Sequence, residues 1–365
     1  MPSSRCQVAI VGGGPAGLAS AIALARAGIS SHVVERTDYD TARVGEHLPP
    51  GSKPLFASLG LSGLLNDEIH LPCPGIRSAW GTDEAVDKDY LFHPHGQGVN
   101  LSRPAFDQAL ADHARRAGVT VATGGKVAKL SRAGQGWDLA YARPDGQCVI
   151  KADFLIDATG RAASIAKRLG ARPRVFDDLV GMAAQVAAAG EDRRVYIESL
   201  ECGWWYSAKL TNNKFIAVFM TDSDLLGPGA GRARAWDAML AKSPLTRARL
   251  DPQSRPEGLQ VRTARSQRLD KMHGDGWLAA GDAAMSYDPL SSEGISKGIE
   301  WGRKAAAAAA ASMKGDSSAG IGYAQEAGKT FAAYLSQRRG YYAAEKRWAR
   351  SPFWQRRQSA PRPLG

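Results

Sequence analysis

The stretch Val8-Ala9-Ile10-Val11-Gly12-Gly13-Gly14-Pro15-Ala16-Gly17 decides how this chain is read. A short apolar run enters a glycine-rich turn. An alanine-rich stretch, Leu18 to Ala27, has helical character and stops at Gly28. A second apolar run, His32-Val33-Val34, ends in Glu35, with Arg36 beside it. The order is strand, turn, helix, strand, acid. Gly12 permits the tight turn, Gly14 lets the backbone approach a pyrophosphate, and Gly17 lets the helix pack on the strand. Pro15 and Ala16 open the helix, and Pro15 suits the first position, where no N–H is needed. The helix N-terminus offers free N–H groups and a positive dipole end to phosphates. Glu35 comes 18 residues after Gly17, close to the spacing of about 20 for an acid that binds a ribose hydroxyl. A lone GxGxxG is weak evidence, and could be a turn in an ordinary α/β protein. In this order of elements it points to a dinucleotide site.

The second half of the chain selects FAD over NAD(P). Gly276 to Ala280 reads as a short strand, followed by Gly281-Asp282, then Asp288-Pro289-Leu290-Ser291-Ser292-Glu293-Gly294-Ile295, then a long helix. A second glycine-rich strand–helix junction is what an extended flavin needs, because its ribityl chain and ring must be held as well as its pyrophosphate. Asp282, just after the strand, can accept from ribityl or ribose hydroxyls. The amides of Gly294 and Ile295 can stabilise negative charge on a reduced ring.

With these motifs the chain resembles the flavoprotein monooxygenase and flavin-dependent halogenase superfamily, of the para-hydroxybenzoate hydroxylase fold. The resemblance rests on Gly12–Gly17 with Glu35, on Asp157-Ala158-Thr159-Gly160-Arg161 after the strand Phe154-Leu155-Ile156, and on Gly281-Asp282 with Asp288-Pro289. Arg43-Val44-Gly45-Glu46-His47-Leu48-Pro49-Pro50, Gly203-Trp204-Trp205-Tyr206-Ser207 and the tail from Glu345 to Arg357 are similar to one subgroup. That subgroup helps mature tryptophylquinone cofactors in amine dehydrogenases and amino-acid oxidases. His47 stands where it more often has Ser.

The resemblance implies an α/β fold. An FAD-binding Rossmann-type lobe, glutathione-reductase-like, would be interwoven with a mostly antiparallel β-sheet substrate lobe. Residues 1–75, 98–174 and 263–335 are assigned to the first, 76–97 and 175–262 to the second, and 336–365 to a basic, aromatic tail. Within the first lobe, Leu101 to Ala117 reads as a helix. The stretches around Lys126–Leu130, Trp137–Ala142 and Cys148–Lys151 read as a small antiparallel sheet. In the second lobe, Val195–Glu198, Trp204–Leu210 and Phe215–Met220 read as strands, and Ala233–Ala241 as a helix.

Composition excludes several classes. At 365 residues, 44% hydrophobic and 23% charged, the chain is an ordinary globular protein. No apolar run reaches the ~20 residues of a membrane span. The N-terminus runs directly into the first strand, so a cytoplasmic protein is expected. Cys6, Cys73, Cys148 and Cys202 lack ligand or redox-pair spacing and read as free thiols. His93-Pro94-His95 reads as a polar loop, and no metal is expected. The net charge is +11, and from Arg338 onward eight basic residues face Glu345 alone. Interleaved with aromatics, that tail could pack on the body, dock an acidic protein or bind nucleic acid. The resemblance supports the first two. The Pro361-Arg362-Pro363 end reads as frayed.

The resemblance also implies the chemistry. Reduced flavin and O2 give a C4a-hydroperoxide that transfers oxygen to an electron-rich aromatic, while the protein supplies position and electrostatics. FAD is expected to be noncovalent, with NAD(P)H or a separate flavin reductase as electron source. The aromatic substrate is expected to be a tryptophan of an acidic precursor protein, with a free small aromatic as competitor. By motif match, Arg43 lies over the flavin or its ribityl chain, with Glu46 beside it. Arg103 is a candidate pyrophosphate partner, its fork suiting phosphate. Asp157 and Gly160 belong to the cofactor set. Pro289 faces the ring, and Ser291 to Ile295 lie near the oxygen-transfer position. Catalytic candidates are Glu293, Pro289, Glu46 and His47. Alternation sends Trp204 and Tyr206 to one face of their strand and Trp205 to the other, to line a pocket or fill a core. Halogenases resemble this chain through Asp288-Pro289, but they use an active-site lysine and a Trp-x-Trp-x-Ile-Pro stretch. Ile76 to Gly81 has no lysine, Gly203–Ala208 has no Ile-Pro, and Glu293 replaces the halide-binding Ser or Thr. A chaperone-like flavoprotein that needs FAD for structure is the non-enzymatic alternative.

Overall fold

The computed structural model describes residues 3–40, 43–144, 146–226, 231–359 and 363. Pro361 and Arg362 of the tail end lie outside them. The first motif folds as read. Strand Ser3–Val11 leads into the first helix, Pro15–Arg26, which returns to strand Ser31–Val34. The helix is built of small residues that let it lie close on the sheet, and Gly28 ends it at φ +72.

The main sheet runs in the order His273–Gly274, Trp277–Ala279, Gly146–Asp157, Ser3–Val11, Ser31–Val34, Thr120–Ala122. Ser3–Val11 is parallel to both neighbours. Its residues Val8, Ala9 and Ile10 are wholly buried, as expected for a parallel strand covered on both faces. Gly146–Asp157 is one 12-residue strand. Residues 148–151 and 154–157, read from sequence as two strands, are its two halves. One edge pairs in parallel with Ser3–Val11 along both halves. On the other edge the first half pairs with antiparallel Gly136–Arg143, which carries Lys126–Ala133, and the second half with parallel Trp277–Ala279. The change of partner, not a break in the chain, divides them.

The second sheet has seven strands. Their order is Glu257–Thr263, Leu179–Ala187, Lys214–Asp222, Gly203–Lys209, Val195–Leu200, Gly75–Ala79, Val86–Asp89. Neighbours are antiparallel except Val195–Leu200 with Gly75–Ala79, which are parallel. The chain leaves this sheet after Val86–Asp89, builds much of the first lobe, and returns at Leu179. The two lobes are therefore interwoven.

The long helix Gly294–Met313 lies across the first helix, and Ala319–Ala343 follows it. The assigned boundary at 335/336 falls inside this second helix, which is continuous through it. The tail packs on the substrate sheet. Phe353 and Trp354 of the last helix, Pro352–Gln358, are fully buried. Trp354 Nε1 donates to Leu200 O at 2.9 Å, and Ser351 Oγ to Glu201 O at 2.6 Å. Its arginines meet the protein's own acids: Arg357 pairs with buried Asp222, Arg356 with Asp222 and Asp224, and Arg347 with Glu345 and Asp83. These three cations are paired within the molecule, so this part of the tail packs on the body, one of the readings the sequence leaves open. No helix among the described residues is long and apolar enough to cross a membrane.

Candidate functional site

The dinucleotide turn is made by sterics. Gly12 has φ +105, and a Cβ there would stand 2.2 Å from Ala158 O. A Cβ on Gly17 would stand 1.9 Å from Gly12 O. Only glycine fits either position. Gly14 differs, because a Cβ there would meet nothing within 4 Å. The protein's own atoms do not demand glycine at 14, so the open space in front of it suits a ligand. The helix begins at Pro15, with its first internal bond from Leu18 N–H to Gly14 O at 3.0 Å. The Ala16 and Gly17 amides therefore head the helix at this space.

Glu35 is buried at the edge of the turn. Its Oε2 accepts from Gly13 N–H at 2.7 Å. Its Oε1 accepts from the Thr37 hydroxyl at 2.7 Å and from Arg43 Nη2 at 3.0 Å. Arg36 is exposed beside it. Tyr39 donates to Gly13 O at 2.9 Å and closes the corner. Arg43 is thus corrected. Glu35, and Asp107 at 3.5 Å, hold its guanidinium at the acid end of the turn, not at the flavin end. Sequence reading missed Thr37 and Tyr39, whose types carry no dinucleotide signal.

Asp157 is also corrected. It is wholly buried, and its carboxylate accepts from Thr159 N–H and hydroxyl and from the Ile165 and Ala166 amides at 2.7–3.0 Å. Four donors saturate it, so it shapes the Gly160–Ala162 turn and contacts no cofactor. Gly160 opens that turn at φ +66. Arg103 begins the helix Arg103–Arg116 and is buried. Its fork is taken by Val44 O, Gly45 O and Asp107 at 3.0–3.3 Å, which corrects its reading as a pyrophosphate clamp. Its Nε alone is buried without a partner among the described residues. Asp282 follows Gly281 after the strand Trp277–Ala279, and 37% of its side chain is exposed. Arg161 Nε stands 3.6 Å away. The surrounding protein desolvates the Asp282 carboxyl and raises its pKa, while Arg161 and Arg103 oppose the rise.

The long helix brings a second N-terminus to the cleft. A Cβ on Gly302 would meet Ala16 O at 2.2 Å, and Ser20 Oγ donates to Gly302 O at 2.8 Å. Gly298 faces Pro15. Gly294 and Ile295 lie one turn, about 6 Å, beyond that contact. Before them, Pro289–Ser291 forms a short turn capped by Asp288, whose Oδ1 accepts from Leu290 N–H at 3.0 Å. Pro289 is half-buried, and Ser292 sits at φ +52. Glu293 is 43% exposed and pairs with Lys297 Nζ at 2.7 Å. The halogenase comparison missed Lys297, which reaches this loop from the helix.

On the substrate side, Glu46 is buried and accepts from Gly45 N–H at 2.9 Å. Desolvation pushes its carboxyl pKa up to about 7, against the pull of Gly45 N–H and Arg103. The Tyr206 hydroxyl lies within the field of Glu46 and is buried without a hydrogen-bond partner among the described residues. His47 turns the other way. Its ring meets Asn100 Oδ1 at 3.2 Å and the Tyr90 hydroxyl at 3.4 Å. Burial lowers its pKa to about 4. The expectation of a catalytic His47 is therefore corrected: a neutral imidazole joins the strands His47–Leu48 and Gly98–Asn100. The alternation of the aromatic strand holds, but its pocket role does not. Trp205 packs on Trp236 and Phe219 in the core of the far face. Trp204 is buried under the tail, its Nε1 donating to Tyr342 at 2.9 Å. Tyr206 alone of the three faces Glu46.

Residues 5–332 match the family model described as FAD binding domain. The chain belongs to this family. It is 30% identical, over 96% of both chains, to the putative FAD-dependent oxidoreductase LodB of Marinomonas mediterranea. It resembles the structure of the peptidyl tryptophan dihydroxylase QhpG with a TM-score of 0.83 and 28% identity, over 99% of this chain and 80% of that one. The flavin-dependent halogenase CmlS shares the fold, with a TM-score of 0.85 and 23% identity over 97% and 68% of the two chains. This FAD-dependent oxidoreductase is thus a member of the monooxygenase and halogenase superfamily.

The cleft of this flavoprotein fits FAD on its own geometry. Gly14 leaves room, two helix N-termini face one region, and Asp282 is partly exposed beside them. Two surface recesses lie elsewhere. One of about 520 Å³ is lined by Ala128–Arg132 and Arg168, the other of about 1010 Å³ by Asp153, His273 and Asp316. Neither includes a residue of the cleft. Among the described residues no group of three or more His, Cys, Asp or Glu is placed to hold a metal.

Proposed function

We propose that this flavoprotein oxygenates an electron-rich aromatic, and that the aromatic is a tryptophan side chain of a precursor protein in quinone-cofactor maturation. Glu46 carries the reading. Oxygen transfer to an aromatic carbon leaves a proton that must be removed to restore the ring. A buried carboxyl with a pKa of about 7 is poised to take it near neutral pH. Bound FAD, once reduced by NAD(P)H or a separate reductase, supplies the activation of O2. Asp282 would hold its sugar-like chain, and Pro289 with the Gly294 and Ile295 amides would hold its ring. The likeness to the peptidyl tryptophan dihydroxylase QhpG over nearly the whole chain supports a protein substrate. The net charge of +11 favours encounter with an acidic partner.

The test is to incubate reduced enzyme with O2 and an amine dehydrogenase or amino-acid oxidase precursor, then search for added oxygen on tryptophan by mass spectrometry. Oxygen gained only by free small aromatics would sink the protein-substrate reading. Glu46→Gln should keep FAD and lower turnover about a hundredfold, within the usual worth of a general base. Asp282→Ala should lose FAD, and denaturing the native protein should release FAD intact.

Halogenation is the second reading. Lys297 at 2.7 Å partly neutralises Glu293, so the carboxylate repels a halide less than a bare one would. A product that requires chloride or bromide would establish it.

A further inference from the structure

We infer that Tyr342, in the C-terminal strap, is a positioning residue for the Asp288–Glu293 loop. The inference rests on the reading of that loop as the flavin-ring loop. The strap is not mere covering. The Tyr342 hydroxyl accepts from Trp204 Nε1 and donates to Asp288 Oδ2, both at 2.9 Å. Arg338 Nε donates to the same Oδ2 at 3.2 Å, and its Nη2 pairs with Asp177 at 3.0 Å. Tyr334 accepts from Asp288 N–H at 2.7 Å. The other carboxylate oxygen, Oδ1, holds Leu290 N–H. Two hydrogen bonds therefore connect the substrate sheet, through Tyr342 and Asp288, to the first turn before Ser292 and Glu293.

This loop needs outside support. Ser292 holds φ +52 without being glycine, a conformation that persists only where its surroundings enforce it. Asp288 is buried, so its orientation depends on the donors that reach it. Arg338 satisfies its charge. Tyr342 adds direction, because its ring is gripped by Trp80, Phe353 and Trp354 and by the Arg357 guanidinium at 5.4 Å. A ring held this firmly fixes the carboxylate it bonds, and with it the turn that the carboxylate caps.

The experiment compares Tyr342→Phe with Trp204→Phe in the FAD-loaded protein. Trp204→Phe removes one hydrogen bond at the Tyr342 hydroxyl and Tyr342→Phe removes both, so only Tyr342→Phe releases Asp288. Amide hydrogen exchange in the peptide covering 288–295 should rise about tenfold in Tyr342→Phe, the effect of losing one buried hydrogen bond. It should stay within twofold of wild type in Trp204→Phe, and the peptide covering 8–20 should be unchanged in both. The visible flavin spectrum should shift in Tyr342→Phe alone. Equal exchange at 288–295 in Tyr342→Phe and wild type would overturn the inference, and so would the same increase in both variants. If exchange rises at 288–295 while the flavin spectrum stays unchanged, positioning stands and the loop's place beside the ring fails.

Discussion

Two turns face the cofactor cleft, Gly12–Gly17 and Asp288–Gly294, and they are held by opposite means. The first is fixed mainly by what it lacks. Gly12 and Gly17 have no side chains because backbone oxygens lie 2.2 and 1.9 Å from where a Cβ would be. Its polar partners, Glu35 and Tyr39, stand within 26 residues of Gly13 in the chain. The second turn contains a serine where glycine would be relaxed. It is held by side chains, with Tyr334, Arg338 and Tyr342 reaching Asp288 from 46 to 54 residues away. One turn is specified by local sterics, the other by a remote strap.

Arg357→Ala strikes the strap hardest. Among the described residues it leaves buried Asp222 with the partly exposed Arg356 as its charged partner, a loss of about 3 kcal/mol. A clear fall in Tm is expected, with proteolysis starting after residue 343 and the Gly12 corner still protected. If protection is lost first at the Gly12 corner, the contrast between the turns fails.

Gly17→Ala attacks the local turn. Overpacking there should cost about 1–3 kcal/mol, and FAD content should drop below one tenth of wild type because the helix head is displaced. Normal flavin absorbance in the purified variant would show that the turn yields more readily than its sterics imply.

Glu46→Gln sharpens the contrast through pH. The Glu46 pKa of about 7 in the fold lies above its ordinary 4.5. The folded state therefore holds the proton more tightly, and Glu46 favours folding fully below pH 4.5. That contribution is lost as pH rises to about 7. Glutamine, which cannot ionise, should raise stability by about 1–3 kcal/mol at pH 8 and change it little at pH 4.5. Equal Tm gains at both pH values would contradict a buried, protonated carboxyl. His47 runs the other way. Its pKa is lowered to about 4, so the fold gains from the neutral ring above pH 6.5 and loses that gain as pH falls to 4. Wild-type protein should lose stability across that window, and His47→Asn less so.

The smallest effect is expected from Ser292→Gly. Relief of the positive φ should exceed the added flexibility of the unfolded chain, for a gain of about 0.5–1 kcal/mol. A loss instead would mean that Ser292 makes a contact worth more than its strain.

The sequence by itself determined the lobe that binds FAD. Glycine spacing, apolar runs and the acid at 35 are local signals, and each acts through a backbone geometry that few other residues permit. Alternation also determined which faces Trp204, Trp205 and Tyr206 take. Only the tertiary structure decided which candidates meet. Arg43 and Arg103 match their motifs, yet Glu35 and Asp107 claim them, because an arginine goes to the nearest buried acid and sequence does not show which acid that is. Asp157 reads like a cofactor ligand but is saturated by amides eight and nine residues on. The tail's basic residues leave packing and docking both open, and Arg347, Arg356 and Arg357 are held on the body because Glu345, Asp222 and Asp224 pair with them. Backbone constraints are written locally, whereas charge pairing and burial depend on residues brought together from far along the chain.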